Sequence, residues 1–162
     1  MLTIRKARRS DLDALVSLWK ELSEHHVSFG RRDRNLTPHL RQRPDAARVF
    51  AAWARKHVGS RKGVVYLAEV DGKPAGYTLV FIKRNPFHSK VREIGFIDQL
   101  LVKGKFRGRK ISSALFREAM VWFRRKRIRH LSLFVMERNR IPQSIYRKWG
   151  FFPFVVEMRK NL

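Results

Sequence analysis

The sequence predicts a mixed α/β domain: one central sheet, mostly antiparallel, with helices on both faces. Three observations lead there. A β-branched run, VVYLAEV (64–70), meets an Asp71-Gly72 turn and a second apolar run, the signature of a hairpin. REIGFIDQLLV (92–102) reads as a buried strand that feeds a basic loop and then an amphipathic helix. LSLFVM (131–136), a short helix and Phe152–Met158 then give a further strand–helix–strand order. Hairpins first and crossovers later produce a mixed sheet.

Taken in order, Thr3–Ala7 makes a short first strand. Ser10 offers an N-cap, and Asp11 and Asp13 suit the positive end of a helix dipole. Leu12, Leu15, Trp19 and Leu22 recur at helical spacing, which predicts a helix to about His25. Val27–Arg43 is polar, Arg-rich and aperiodic, and reads as a loop or irregular helix. Pro44 and Asp45 open a second helix, with Ala46, Val49, Phe50, Trp53 and His57 as its stripe. Gly59–Gly63 breaks it. The second hairpin arm is expected from about Gly76 to Lys83, because Pro74 cannot donate to a ladder. Asn85-Pro86 makes the next turn. Ile111, Leu115, Ala119 and Trp122 mark a helix from about Arg109 to Arg127, whose cationic last turn suits a C-terminus. In Arg140–Trp149, Ile141, Ile145 and Trp149 repeat every four residues, and Asn139 is positioned as N-cap. The predicted order is β-α-α-β-β-β-α-β-α-β in a single domain, 1–162.

A chain of 162 residues buries about 70% of its unfolded surface, enough for a core. It has no cysteine, which excludes disulfides, thiolate metal sites and thiol nucleophiles. No apolar run approaches the roughly 20 residues of a membrane span, and MLTIRKARRSD lacks a signal-peptide core. A cytoplasmic protein with no membrane span is expected. The charge is the outlier: 37 Lys and Arg stand against 13 Asp and Glu, a formal +24. Such a surface attracts nucleic acid, anionic lipid or a phosphorylated cofactor.

Five of the eight residues from Lys103 to Lys110 are basic. They lead into a helix N-terminus, where free backbone N–H groups and the dipole favour an anion. Gly104 and Gly108 permit close backbone approach, and Ser112 and Ser113 add hydroxyls. This pattern fits a phosphate site, and it fits a solvated basic loop as well. Neither a P-loop nor a G-x-G-x-x-G motif occurs.

Two segments carry a family resemblance. Leu100-Leu101-Val102 is followed by Phe106-Arg107-Gly108-Arg109-Lys110-Ile111-Ser112. About 30 residues on come Asn139, Pro142, Ile145, Tyr146, Gly150 and Phe151. Together they resemble the GNAT superfamily of acetyl-CoA-dependent N-acetyltransferases, which pair an aromatic-Arg-Gly loop and [Q/R]-x-x-G-x-[G/A] with N-x-x-A-x-x-L-Y-x-x-x-G-F. EVDGKPAGY is similar to the family's central hairpin. Lys110 and Ser112 replace signature glycines, and Pro142 replaces an alanine. Helical backbone at Lys110 would not require glycine.

The resemblance implies a sheet splayed between its fourth and fifth strands, with pantetheine inserted there. It implies acetyl-CoA as cosubstrate and no metal. Leu100, Leu101 and Val102 would meet the pantetheine arm, with the Leu100 N–H near the acetyl oxygen. Arg107, Gly108, Arg109, Lys110, Ile111 and Ser112 would cradle the pyrophosphate. Asn139 would bond the arm, and Tyr146 would protonate the departing thiolate. Asp98 is the preferred base; Glu93 on the same strand is the alternative, on the opposite face unless a bulge intervenes. Asp98 is equally readable as a structural carboxylate paired with an Arg, and Tyr146 as a packing residue. His25, His26 and His39 fall in the region that lines the family's acceptor pocket, and read as solvated. The acceptor is an amine of unknown identity, with polyamines disfavoured by the charge. A shortened C-terminal region leaves the acceptor side open or completed by a partner subunit, as in a homodimer. A second class of function is a nucleic-acid- or ribosome-binding module on the same scaffold, or contact with acidic proteins.

Overall fold

A computed structural model describes residues 1–31 and 33–162. Ten regular elements follow the chain: β1 (Leu2–Lys6), α1 (Leu12–Gly30), α2 (Thr37–Leu40), α3 (Ala46–His57), β2 (Gly63–Val70), β3 (Lys73–Arg84), β4 (Glu93–Val102), α4 (Ile111–Arg125), β5 (Leu131–Leu133) and α5 (Arg140–Lys148). The strands form one sheet in the order β1-β2-β3-β4-β5. The first four are antiparallel neighbours, and β5 joins β4 in parallel. The mixed α/β architecture expected from the sequence is therefore present.

Alternation along β2 and β3 splits the core in two. Val64, Tyr66, Ala68, Val80 and Ile97 face α4, whose Ile111, Leu115, Ala119, Trp122 and Phe123 cover them. Val65, Leu67, Tyr77, Leu79 and Leu101 face α1 and α3, represented by Leu15, Leu18, Phe50 and Ala54. Each strand buries both faces, so the strands read as continuous apolar runs. Gly95 has a packing reason: a Cβ there would lie 2.5 Å from Phe123 and Leu131 side-chain atoms.

Several expectations shift. The Asp71-Gly72 turn has positive φ at both residues (50° and 72°), the type I′ geometry that suits a tight hairpin. Strand β3 begins at Lys73 rather than Gly76, because a bulge between Ala68 and Glu69 absorbs Pro74. Helix α1 runs five residues past His25. The Thr37 hydroxyl donates to Gly30 O at 2.8 Å and satisfies its end. Ser10 is not the cap; the Arg8 N–H donates to Asp11 Oδ2 at 2.7 Å instead. Asn139 makes no side-chain cap, and Gln143 Nε2 donates to Met136 O at 3.0 Å. The strand expected at Phe152–Met158 does not form. Pro153 removes a ladder donor, and β5 offers an edge of only three residues. No helix among the described residues is long and apolar enough to cross a membrane.

Candidate active site

The site begins where two strands part. Strands β4 and β5 pair only from Gly95–Leu131 to Ile97–Leu133. Beyond Ile97, β4 continues to Val102 with β3 alone beside it. The edge of Leu100–Val102 that faces away from β3 therefore has no strand alongside. Asp98 is the first residue past the fork.

Asp98 is also the extra residue of a bulge. Leu79 pairs with Gln99 and Val80 with Ile97, leaving Asp98 without an opposite. A bulge turns two successive side chains to one face. Asp98 and Gln99 both meet the α1–α3 side: the Trp53 Nε1–H donates to Asp98 Oδ2 at 3.0 Å, and the Tyr77 hydroxyl donates to Gln99 Oε1. The Thr78 hydroxyl donates to Gln99 O at 2.8 Å and holds the bulge. Around the carboxylate stand Trp53, His57 and Phe81, with centroids 4.4–5.5 Å apart. Their apolar bulk pushes the Asp98 pKa above the ordinary carboxylate range; the Trp53 bond, His57 and Lys83 pull partly back. Glu93 precedes the bulge, lies on the other face and pairs with Lys62 at 2.8 Å, which lowers its pKa. The structure separates the two carboxylates.

At the far end of β4 the loop 103–110 is pinned at three points. Lys103 N–H donates to Ala75 O at 2.8 Å, Gly104 N–H to Glu21 Oε1 at 3.0 Å, and the Phe106 ring is buried against the α4 layer. Arg107 Nε donates to Val102 O at 3.2 Å. Gly108 (φ 78°) needs its glycine for the turn. Gly104 has open space where a Cβ would sit and no such need. Lys110 is not helical, as the sequence suggested. It is left-handed (φ 59°) and stands one residue before α4. That conformation costs a non-glycine residue about 1 kcal/mol. Its side chain is exposed and bonds no described residue, so the loop stays open. The N–H groups of 108–113 find no acceptor among the described residues; the first bond of the turn is Ala114 N–H to Lys110 O. Six free amides at the start of a helix, flanked by Arg107 and Arg109, form an anion cradle.

Tyr146 lies on α5, which follows β5. Its ring packs edge-on to Trp149 (5.8 Å) and Phe151 (6.0 Å), and Trp149 stacks on Phe116 of α4 at 4.1 Å. Burial raises its pKa, and its hydroxyl bonds no described residue. Asn139 precedes α5, with its side-chain amide free of described partners. His25 and His26 sit on α1, and His39 Nε2 bonds Asn161 Oδ1 at 2.9 Å; none of the three bonds Asp98. Tyr77 and Gln99 escaped the sequence reading, and Trp53 entered it only as a helix-stripe residue. The register that gathers them exists only once the bulge is known. Among the described residues no group of three His, Cys, Asp or Glu is placed to hold a metal.

A forked β4–β5 pair leading to free helix-start amides is the arrangement that the GNAT resemblance implies, and comparison with known proteins shows an acetyltransferase family. The chain belongs to the acetyltransferase (GNAT) family, whose model matches residues 18–151. An uncharacterised N-acetyltransferase of Methanocaldococcus jannaschii is 26% identical over 149 residues, 92% of this chain and 60% of that protein. A Bacillus subtilis protein named as a putative ribosomal protein bS18-alanine N-acetyltransferase is 33% identical over 93 residues, 57% of this chain and 55% of that one. The chain thus spans little more than half of these curated relatives. A Clostridium acetobutylicum predicted acetyltransferase, solved with acetyl-CoA, superposes with a TM-score of 0.78 at 16% identity, covering 99% of this chain and 96% of that one.

Proposed function

We propose that this chain transfers the acetyl group of acetyl-CoA to a primary amine by direct attack. The observation that carries the reading is the fork at Ile97–Leu133 leading to the free amides of 108–113. The amides of Gly108, Arg109, Lys110, Ile111 and Ser112, with Arg107, take the diphosphate. The open edge of Leu100 and Val102 bonds the pantetheine amides as a further strand would, while the buried Leu101 side chain roots β4 in the core. Asn139 bonds the same arm from the β5 side.

In the reaction the acceptor nitrogen forms a bond to the thioester carbonyl carbon, and the carbon–sulfur bond breaks. The Leu100 N–H donates to the carbonyl oxygen as negative charge collects there. Asp98 takes the proton lost by the amine, directly or through one water; its raised pKa brings it nearer to working pH. Tyr146 donates its phenolic proton to the leaving sulfur. The carboxylate sits among Trp53, His57 and Phe81, so the acceptor amine enters beside aromatic faces that attract cations.

The +24 field repels polycations, and the Bacillus relative is named for a protein alanine as acceptor; both favour a peptide or protein amine as acceptor. The test is thiol release from acetyl-CoA against a screen of N-terminal-alanine peptides, amino-acid amides, polyamines and aminoglycosides. Saturable release with peptides is expected. Tight CoA binding with no release for any acceptor class contradicts the reading.

A further inference from the structure

The CoA cradle uses only a small part of the charge. A second group of cations gathers at the opposite end of the sheet. Helix α4 has 15 residues and so carries the chain about 22 Å back from the cradle. At its far end Arg124, Arg127, Ile128 and Arg129 line an open groove of about 480 Å³. Arg127 holds a left-handed φ of 58° at the helix end, a position where glycine or asparagine is usual. On the other helical layer, Arg9, Arg55, Lys56 and Gly59 line a second groove, of about 510 Å³.

Register puts both grooves at one end. Lys6 at the end of β1 pairs with Tyr66 near the start of β2, and Gly63 pairs with Phe81 near the end of β3. Arg84 pairs with Glu93 at the start of β4, and β5 begins beside Gly95. Between the grooves the β3–β4 loop adds exposed Arg84 and Arg92. At its tip Phe87 is 90% exposed, edge-on to His88 at 5.4 Å. None of Arg9, Arg55, Lys56, Arg84, Arg92, Arg124, Arg127 or Arg129 pairs with a carboxylate among the described residues. Of the acids here, Asp11 is held by Arg5 and Glu93 by Lys62, and Asp13 is exposed on the first turn of α1.

We propose that this end of the sheet binds single-stranded nucleic acid, its backbone running from the Arg55 groove to the Arg127 groove and a base stacked on Phe87. Unpaired arginines meet phosphates, and an exposed aromatic ring serves a base and does nothing for a carboxylate. Three strand spacings of about 4.8 Å separate β2 from β5, roughly 14 Å along the sheet, and the path also crosses from one helical layer to the other, so it spans several nucleotides. A duplex keeps its bases stacked inside and cannot offer one to Phe87. An acidic protein would answer the arginines, and polyglutamate competition tests for it. The proposal stands apart from the transferase reading, because it uses none of the cradle or Asp98.

The test is fluorescence anisotropy of a labelled 12-nucleotide single-stranded RNA, titrated with the full chain across a salt series. The variants are R124Q/R127Q/R129Q, F87A and R107Q/R109Q, each checked by circular dichroism and by calorimetry with CoA. The groove variant should flatten the slope of log K against log salt by about 2, for three lost phosphate contacts. F87A should weaken binding about fivefold or more at unchanged slope. Both should bind CoA as the parent does, whereas R107Q/R109Q should lose CoA affinity and keep the RNA slope. Equal slope changes in the groove and cradle variants would mean diffuse attraction and overturn the proposal. So would polyglutamate competing as well as RNA per charge, or F87A binding RNA normally.

Discussion

The Trp53 indole N–H donates to the Asp98 carboxylate across 3.0 Å, tying helix α3 to the bulge of β4. Without that bond the carboxylate would stand among aromatic rings with no donor. With it, Asp98 has a donor on the α3 side while burial still holds its pKa above the ordinary range.

The role of base proposed for Asp98 requires its ionised form. The rate should therefore fall as pH drops through a value above the usual 3.8. Trp53→Phe removes a bond that favours the ionised form, so the acid limb of kcat/KM should move to higher pH. Asp98→Asn should cost about 10²–10⁴ in kcat/KM. Its effect on stability has the opposite sign. A carboxyl raised in the folded state weakens folding as pH rises through the window between its unfolded and folded values, and above the folded value the whole cost is present. The melting temperature of Asp98→Asn at pH 7 should equal or exceed that of the parent; a clear loss would make Asp98 a structural residue.

Tyr146→Phe separates chemistry from packing. The hydroxyl bonds no described residue, so its loss leaves no partner stranded and the fold should keep its stability. The ring still packs on Trp149 and Phe151. We expect kcat to drop by about 10²-fold or more with KM for acetyl-CoA within twofold. An unchanged kcat would remove Tyr146 from the reaction.

Acid stability has a separate origin. Arg5 bridges Asp11 at 2.7 Å and Glu69 at 2.8 Å, joining β1 to β2 and to the start of α1. The Arg5 guanidinium lowers the Asp11 pKa to about 2. The sign follows from linkage: this stability is present above the unfolded value of 3.8 and is lost as pH falls toward 2. The contribution is about 2 kcal/mol. Thermal melts from pH 6 to pH 2 should show a steep loss in that window, and Asp11→Asn should flatten it.

Lys110 occupies a left-handed position that glycine adopts freely. Lys110→Gly relieves about 1 kcal/mol of backbone cost and loses part of it to unfolded-chain entropy. Its melting temperature should be equal or higher. CoA affinity should change only a few-fold, with a shallower salt dependence, because the amides and not the Lys110 side chain make the cradle. Loss of CoA binding in this variant would mean that the ammonium holds the diphosphate.

Much of this was legible in the sequence because it is local. Asp71-Gly72 dictates its turn, continuous apolar runs mark β2–β4, and the stripe of α4 lies at helical spacing. The run 103–110, basic and set before a helix start, was readable both as an anion site and as a solvated loop. The features that failed depend on partners distant in sequence. Pro74 is tolerated because a bulge forms beside it at Ala75, and Phe152–Met158 stays out of the sheet because β5 is short. Trp53 looked like one more member of an apolar stripe. Its indole N–H finds Asp98, 45 residues away, only after β3 and β4 slip by one residue. The conformation of Lys110 was misjudged because helix starts are set by the turn before them, here Gly108.

The most direct test of the cradle is an amide-resolved NMR titration of the ¹⁵N-labelled chain with CoA. Saturable shifts concentrated at Gly108–Ser113, Leu100 and Val102 are expected, with Asp71 and Gly72 at the remote hairpin unmoved. Binding whose largest shifts fall elsewhere, or a silent 108–113 segment at saturating CoA, would contradict the assignment of this junction as the cofactor seat.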